Sequence, residues 1–386
     1  MKRKNKKKDK KKDKNIHSKA YKYRLYPTEE QSMMINKTIG CARLIYNKML
    51  EDKIEHYRIH NEMLYNSLPQ YKEDFEFLKE VDSQALVQSG NDLNTAYTNF
   101  FEKRTNFPKF KKKGVNDTYR SCVTNNNIRL EDDCIKLPKI GLVKIAMERQ
   151  LPKNSKIKNV TVAKTKTNKY FVSINFEYHK EIEKVTPETY IGLDYSPKHM
   201  YIDSNGDTPG VPKPYKKYEE KLASEQRKSS RMVYGSNNYK KQQLKINKIY
   251  EKIANIRKDF AHKISRKITN SYDVVCVEDI NLVELSKQHR NADGNQFKLG
   301  KTNYDNGWGM TRNMIKYKME EEGKHYIEAN KWFPSTKTCS SCGAKKDMKI
   351  DEREYICECG MFLDRDLNAA LNLKKYGIEH IARASI

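Results

Sequence analysis

The sequence predicts a multidomain chain of mixed α/β and β character, with an all-β part, an α/β part and a small metal-held module. Three observations predict it. Strand-like alternation over residues 19–26 resumes over 118–178, with a long helical pattern in between. Two short apolar runs, Tyr190–Asp194 and Val274–Glu278, are separated by a long amphipathic helical stretch, as in α/β architecture. Four cysteines near the C-terminus stand at metal-ligand spacing. A chain of 386 residues is long enough for two or three domains with cores of their own.

Charge narrows the partner. Lys and Arg number 76 against 50 Asp and Glu, a net charge of +26. Neutralising phosphates releases condensed counterions, so a chain this basic points to nucleic acid. A merely well-solvated surface needs no such one-sided balance. No apolar run approaches the roughly 20 residues of a membrane span. The start, Met-Lys-Arg-Lys-Asn-Lys-Lys-Lys, lacks the apolar stretch of a secretion signal. The expectation is an intracellular protein with reduced cysteines and no membrane partner. Cys41, Cys122, Cys134 and Cys276 are scattered and are expected to be small apolar core residues.

In chain order, residues 1–18 read as a disordered basic tail, able to lie on a phosphate backbone or to serve solubility alone. Residues 19–30 begin a small β-barrel, with Lys22 and Arg24 along its first strand. Thr28 in Pro27-Thr28-Glu29-Glu30-Gln31 is placed to cap a helix. A helical insert covers 31–117, with Ile35, Ile39, Ile45 and Met49 on one helix face and Ala85, Leu86, Leu93 and Tyr97 on another. Phe107-Pro108-Lys109-Phe110-Lys111-Lys112 interrupts it. Its rings could stack on bases beside Lys109, Lys111 and Lys112, or anchor a surface loop, and both readings stand. Residues 118–185 complete the barrel, with strands at 160–164 and 170–176 around a Lys-rich turn.

Residues 186–333 read as the larger part of the α/β domain. A strand ends near Asp194 and pairs with a neighbour through Met200-Tyr201-Ile202. The helical stretch that follows carries Ile246, Ile249, Ile253, Ile256, Phe260, Ile264 and Ile268 as a core stripe. Lys245 and Lys252 fall on its other side, where nucleic acid could lie. Residues 334–362 hold Cys339-Ser-Ser-Cys342-Gly343 and Cys357-Glu-Cys359-Gly360, the thiolate set of a structural zinc ribbon with a hairpin expected between the pairs. Its second pair is Cys-x-Cys, one residue short of the usual spacing. Residues 363–386 form a last amphipathic helix and tail.

Three carboxylates stand on these scaffolds: Asp194 and Glu278 on strands, and Asp366 at a helix start. Each alone could cap a turn or pair with a lysine. Together, in so basic a chain, they match the oxygen donors that hard divalent ions prefer, and paired ions catalyse in-line phosphodiester displacement. An RNase H-like nuclease would hold its ions on two strands and a helix in this way. Asp364 is the rival for the third position. Residues two apart lie on different helix faces, so Asp366 is preferred, with Asp364 and Arg365 in support.

Tyr21-Lys-Tyr-Arg-Leu-Tyr-Pro27, Gly40-Cys-Ala-Arg43-Leu-Ile-Tyr-Asn47, Phe107-Pro-Lys-Phe-Lys111, Gly192-Leu-Asp-Tyr-Ser196, Val277-Glu-Asp-Ile280, Gly307-Trp-Gly309, the cysteine pairs and Asp364-Arg-Asp-Leu-Asn-Ala-Ala370 occur in one chain. In this combination the sequence resembles the TnpB family, transposon-encoded RNA-guided DNA endonucleases related to type V CRISPR effectors. The resemblance implies a wedge-type β-barrel carrying a helical recognition insert, then a RuvC-like nuclease interrupted by the zinc ribbon. It implies Asp194, Glu278 and Asp366 as catalytic ligands of two Mg²⁺, and one structural Zn²⁺ on the four cysteines. It implies a guide RNA from the transposon end and a double-stranded DNA target read beside a short adjacent motif. Lys22, Arg24, Arg43, Lys109, Lys111, Lys112, Lys245 and Lys252 are the expected nucleic-acid contacts. A monomer acting at the nucleoid of a prokaryotic cytoplasm is expected. The rival readings are a miniature type V effector with an array-derived guide, a guided repressor that does not cut, and a transposase. Retention of all three acids and their Asp, Glu, Asp order favour the guided nuclease.

Overall fold

The computed structural model describes residues 15–290, 296–348 and 352–384. The basic run up to residue 14 lies outside the described residues. The chain divides into two units, Met1–Glu181 and Ile182–Ile386. The break falls a few residues before the expected boundary at 185, because Val185 already donates its N–H to Gly323 O (3.0 Å) within the second unit.

In the first unit β1 (Ile16–Tyr26) leads into α1 (Glu29–His60), α2 (Leu68–Asp74) and α3 (Ser83–Phe101). Strands β2 (Thr118–Cys122), β3 (Arg129–Glu131), β4 (Cys134–Leu137), β5 (Gly141–Ile145), β6 (Lys156–Lys164) and β7 (Tyr170–His179) follow. Thr28 caps α1 as expected. Its hydroxyl accepts from Gln31 N while the Gln31 side chain accepts from Thr28 N, which satisfies two orphan donors. The strands form one antiparallel sheet in the order β2-β6-β7-β1-β5-β4-β3. β1 therefore lies inside the sheet, paired with β7 from Ile16↔His179 to Leu25↔Tyr170. It starts three residues earlier than the sequence suggests, because its partner continues to His179. Among the described residues no pairing joins the outer strands β2 and β3, so the expected barrel takes the form of an open seven-stranded sheet. The insert splits its apolar positions between two cores. Ile35, Ile39 and Ala85 pack with Leu25, Val160, Val172 and Ile174 on the sheet. Ile45, Leu50, Tyr71, Leu86 and Leu93 pack among the helices themselves.

The second unit contains β8 (Tyr190–Ser196), β9 (Met200–Asp203), α4 (Pro214–Ser230), α5 (Asn237–Ser271) and β10 (Val274–Glu278). Next come α6 (Leu282–Leu285), β11 (Gln288–Arg290), β12 (Gln296–Lys298), α7 (Gly300–Asn306), α8 (Trp308–Glu321) and β13 (His325–Ala329). β14 (Glu354–Ile356), β15 (Phe362–Asp364) and α9 (Arg365–Ala384) end it. Its main sheet has the order β13-β10-β8-β9, with β13, β10 and β8 parallel and β9 antiparallel to β8. Both faces of β10 are buried. Val275 and Val277 face a core with Trp308, Ile315 and Met319, while Val274 and Cys276 pack with Ile327 and Leu373 of α9. A strand buried on both faces reads as an unbroken apolar run, which is why Val-Val-Cys-Val shows no alternation. The helical stripe is carried by α5, where Ile246, Ile253 and Ile268 are buried and Lys245 and Lys252 are exposed. Of the four scattered cysteines, Cys41 and Cys276 are buried as expected. Cys122, on the outer strand β2, and Cys134, at the start of β4, are only half-buried.

Candidate active site and metal centre

Parallel strands end at the same edge of a sheet, and that edge gathers the acids. Val277 of β10 pairs with Leu193 of β8, so Asp194 and Glu278 follow one step on, side by side. Asp194 is 4% exposed and Glu278 is half-buried. Asp366 arrives on the first turn of α9. That helix lies directly on β8 because Gly192 has no side chain: a Cβ there would stand 2.0 Å from Ala370 O and 2.5 Å from Lys374 N. A glycine inside a strand often marks a close backbone approach, and this was the available sequence signal for the helix contact.

Asp364 and Asp366 do different things. The Asp364 carboxylate accepts from Asp366 N (2.8 Å) and Leu367 N (3.1 Å), capping α9. Asp366 keeps its carboxylate for other partners, with Arg365 Nε 3.5 Å away. Burial pushes the Asp194 carboxyl well above the usual carboxylate range. Glu278 and then Asp366 add like charge, Arg365 works against them, and Asp364 adds a little more. Burial, then the neighbouring Asp279, also raises Glu278. The donor set suits a hard divalent cation, since oxygen anions crowded out of water need positive charge nearby. Their oxygens do not close on a single point. Among the described residues, only the four cysteines bring three or more ligand atoms within 4.8 Å of one another.

The cysteine set is compact. Cys339 and Cys359 Sγ are 3.7 Å apart, and Cys342 and Cys357 Sγ are 3.6 Å apart. Tetrahedral zinc with Zn–S bonds of about 2.3 Å requires S–S separations of about 3.8 Å, so these residues fit the ion. The Cys-x-Cys spacing of the second pair does not prevent the fit. Among the described residues each pair sits in a hairpin of its own, one closed by the Thr338↔Lys345 bridge and the other by β14 and β15, while residues 349–351 of the expected hairpin between the pairs lie outside the described residues. Gly343 (φ +79°) and Gly360 (φ +86°) take the left-handed backbone that each knuckle requires. Burial would raise the Cys339 thiol, but N–H groups of Cys342 and Ser341, together with the thiols of Cys342 and Cys357, outweigh it and bring its pKa to about 6.

Sequence reading missed what ties this ribbon to the acids. Asn368 and Asn372 lie one turn apart on α9 and are buried. Asn368 accepts from Ser340 N (2.9 Å) and donates to Thr338 O (2.8 Å), and Asn372 donates to Ser335 O (2.8 Å) and Thr338 O (2.6 Å). The helix that presents Asp366 is thus clasped to the first knuckle.

The expected nucleic-acid contacts are dispersed. In the first unit, Lys22 and Arg24 stand over the Phe171 ring at 4.5 and 5.1 Å, and Arg24 donates to Tyr170 O (2.9 Å). Arg43 pairs with Asp117 (3.2 Å). Lys109 and Lys112 are exposed. The Lys111 ammonium lies over the Tyr46 ring at 4.0 Å, and Lys111 and Asn47 exchange hydrogen bonds of 2.7 and 3.0 Å. Phe107 meets Tyr97 and Phe100 edge-on. The aromatic basic turn is therefore anchored, while Phe110 remains half exposed. In the second unit Lys252 stands 5.2 Å from the Tyr218 ring, and Lys245 is exposed.

Three family models match: "Cas12f1-like, TNB domain" over residues 308–373, "Probable transposase" over 173–289 and "Helix-turn-helix domain" over 17–62. The last span is here a strand and one 32-residue helix. The chain is 32% identical to a "Putative RNA-guided DNA endonuclease" of Streptomyces pristinaespiralis, over 93% of this chain and 89% of that one. It is 29% identical to the "Putative RNA-guided DNA endonuclease InsQ" of Escherichia coli, over 93% and 92%. A solved Cas12f1-sgRNA-target DNA complex contains a chain of the same fold, with TM-score 0.55 and 12% identity over 94% of this chain and 99% of that one.

Proposed function

Because the chain belongs to the TnpB family, we propose that it is an RNA-guided DNA endonuclease of a transposable element, cutting double-stranded DNA beside a short adjacent motif. The observation that carries the reading is the meeting of Asp194, Glu278 and Asp366 at one edge of a parallel sheet, in a chain of charge +26. On this reading the second unit is the RuvC-like nuclease and the first is a wedge-type domain with its recognition insert. Guide pairing selects the target, so the protein needs to recognise only backbone shape and the adjacent motif. Lys22, Arg24, Arg43, Lys109, Lys111 and Lys112 would contact phosphates from the first unit, and Lys245 and Lys252 from α5.

Asp194, Glu278 and Asp366 would hold two Mg²⁺, which supply activation of a water and stabilisation of the leaving 3′-oxygen. Asp364 fixes the start of α9 and so the reach of Asp366. Arg365 tempers the repulsion among the acids. The cysteines would hold one Zn²⁺ as a structural ion. An array-derived guide would make the protein a miniature type V effector with the same chemistry, and sequencing the co-purified RNA separates the two.

The test is Asp194→Ala in the protein purified with its co-expressed RNA. Cleavage of a matched plasmid in Mg²⁺ should fall below detection while guided binding stays within about twofold, since a two-metal site loses its chemistry without a shared ligand. Cleavage at the wild-type rate would refute the assignment of Asp194.

A further inference from the structure

The chain has two tryptophans, and they have opposite fates. Trp308 is 1% exposed in the core against β8, whereas Trp332 is 83% exposed. Trp332 follows β13, whose last residue, Ala329, pairs with Glu278. The chain leaves β13 at the edge where the acids stand, and three residues span at most about 11 Å. Ligands of open α/β sheets bind outside that carboxyl edge.

The segment around Trp332 is held from both sides. Asn330 Oδ1 accepts from Trp332 N (2.9 Å), and Asn330 O accepts from Phe333 N (2.8 Å). The Phe333 ring packs on Tyr376 of α9 at 4.8 Å, and the buried Ser335 is tied to Asn372. The helix that carries Asp366 thus also anchors the turn that presents Trp332. Lys331 Nζ stands 5.4 Å from the indole centroid, leaving most of the ring in solvent. An exposed aromatic ring on an anchored backbone, beside a lysine, is what a single nucleic-acid strand uses, with a base on the ring and a phosphate on the ammonium.

We propose that Trp332 is a stacking site for an unpaired nucleobase of the DNA strand led to the acidic edge, with Lys331 on the adjoining phosphate. The proposal deepens the nuclease reading and rests on it for the identity of the strand. Trp332 acts as a positioning residue: it fixes where the strand lies against the carboxylates and takes no part in bond breaking.

The test uses the full chain with its co-expressed RNA and the variants Trp332→Ala and Trp332→Phe. Stacking on one aromatic residue supports roughly a ten- to hundredfold effect. Trp332→Ala should therefore lose about that much cleavage rate while guided binding to the duplex is unchanged, and Trp332→Phe should recover most of it. Independently, selective tryptophan excitation in EDTA should show quenching of the solvent-exposed emission by oligo(dT), absent in Trp332→Ala. Wild-type cleavage by Trp332→Ala, or failure of Trp332→Phe to restore the rate, would overturn the proposal. If the wild type binds its target without cutting, the nuclease reading fails alone, and quenching by oligo(dT) still decides the stacking site.

Discussion

Asp194 is held where a carboxylate is least at ease, 4% exposed with Glu278 and Asp366 adding like charge. Its folded-state pKa lies above the unfolded value near 3.8, so the metal-free fold loses stability at any pH where both states are ionised. Below the unfolded value both states are protonated and the loss vanishes. Asp194→Asn should therefore melt higher than the wild type in EDTA at neutral pH, with the gap closing as pH falls toward 4. Divalent cation should narrow the gap by stabilising only the wild type. Equal melting curves across that range would mean the carboxylate is not strained. The three acids were legible in the sequence because each stands on a short apolar run or at the start of an amphipathic helix. Their division of labour was not. Asp364 and Asp366 differ by which one caps α9, a matter of backbone geometry at the helix start.

Two elements carry the site, and each rests on a small residue or a small ion. Gly192 lets α9 touch the backbone of β8, and nothing flexible stands where a Cβ would go. Gly192→Ala should cost more than about 3 kcal/mol in stability, as severe overpacking does, and should abolish cleavage by lifting Asp366 off the sheet edge. A soluble variant with wild-type melting and activity would sink that account. The ribbon is the second element. Its four thiols surround a space of zinc size, and Asn368 and Asn372 bind its first knuckle to α9. One zinc per chain is expected by metal analysis. Stripping it with a strong chelator should lower the melting temperature and speed amide exchange in the first turns of α9. The four cysteines were plain in the sequence, since a tetrahedral thiolate site dictates spacing. The asparagine clasp was not, because its partners, Ser335, Thr338 and Ser340, come from a loop that only the fold brings to the helix.

At the scale of the whole chain the dominant quantity is the charge of +26. Binding to unmatched duplex DNA should weaken steeply with salt: six to ten neutralised phosphates imply a loss of roughly 10³- to 10⁵-fold between about 50 and 200 mM. A shallow slope would mean the basic residues mostly serve internal pairs such as Arg43–Asp117. Local chemistry set much of this protein: where strands and helices begin, which cysteines converge, which acids stand at element ends, and a charge balance that suits a polyanion. These follow from periodicity, capping and charge, each of which acts over a few residues or depends on composition alone. Only the tertiary structure decided that β1 lies inside the first sheet, that α9 rests on Gly192, and that an exposed Trp332 follows the strand end paired with Glu278. Those outcomes depend on partners far apart in sequence, and the free energy of packing them is not written in any one segment.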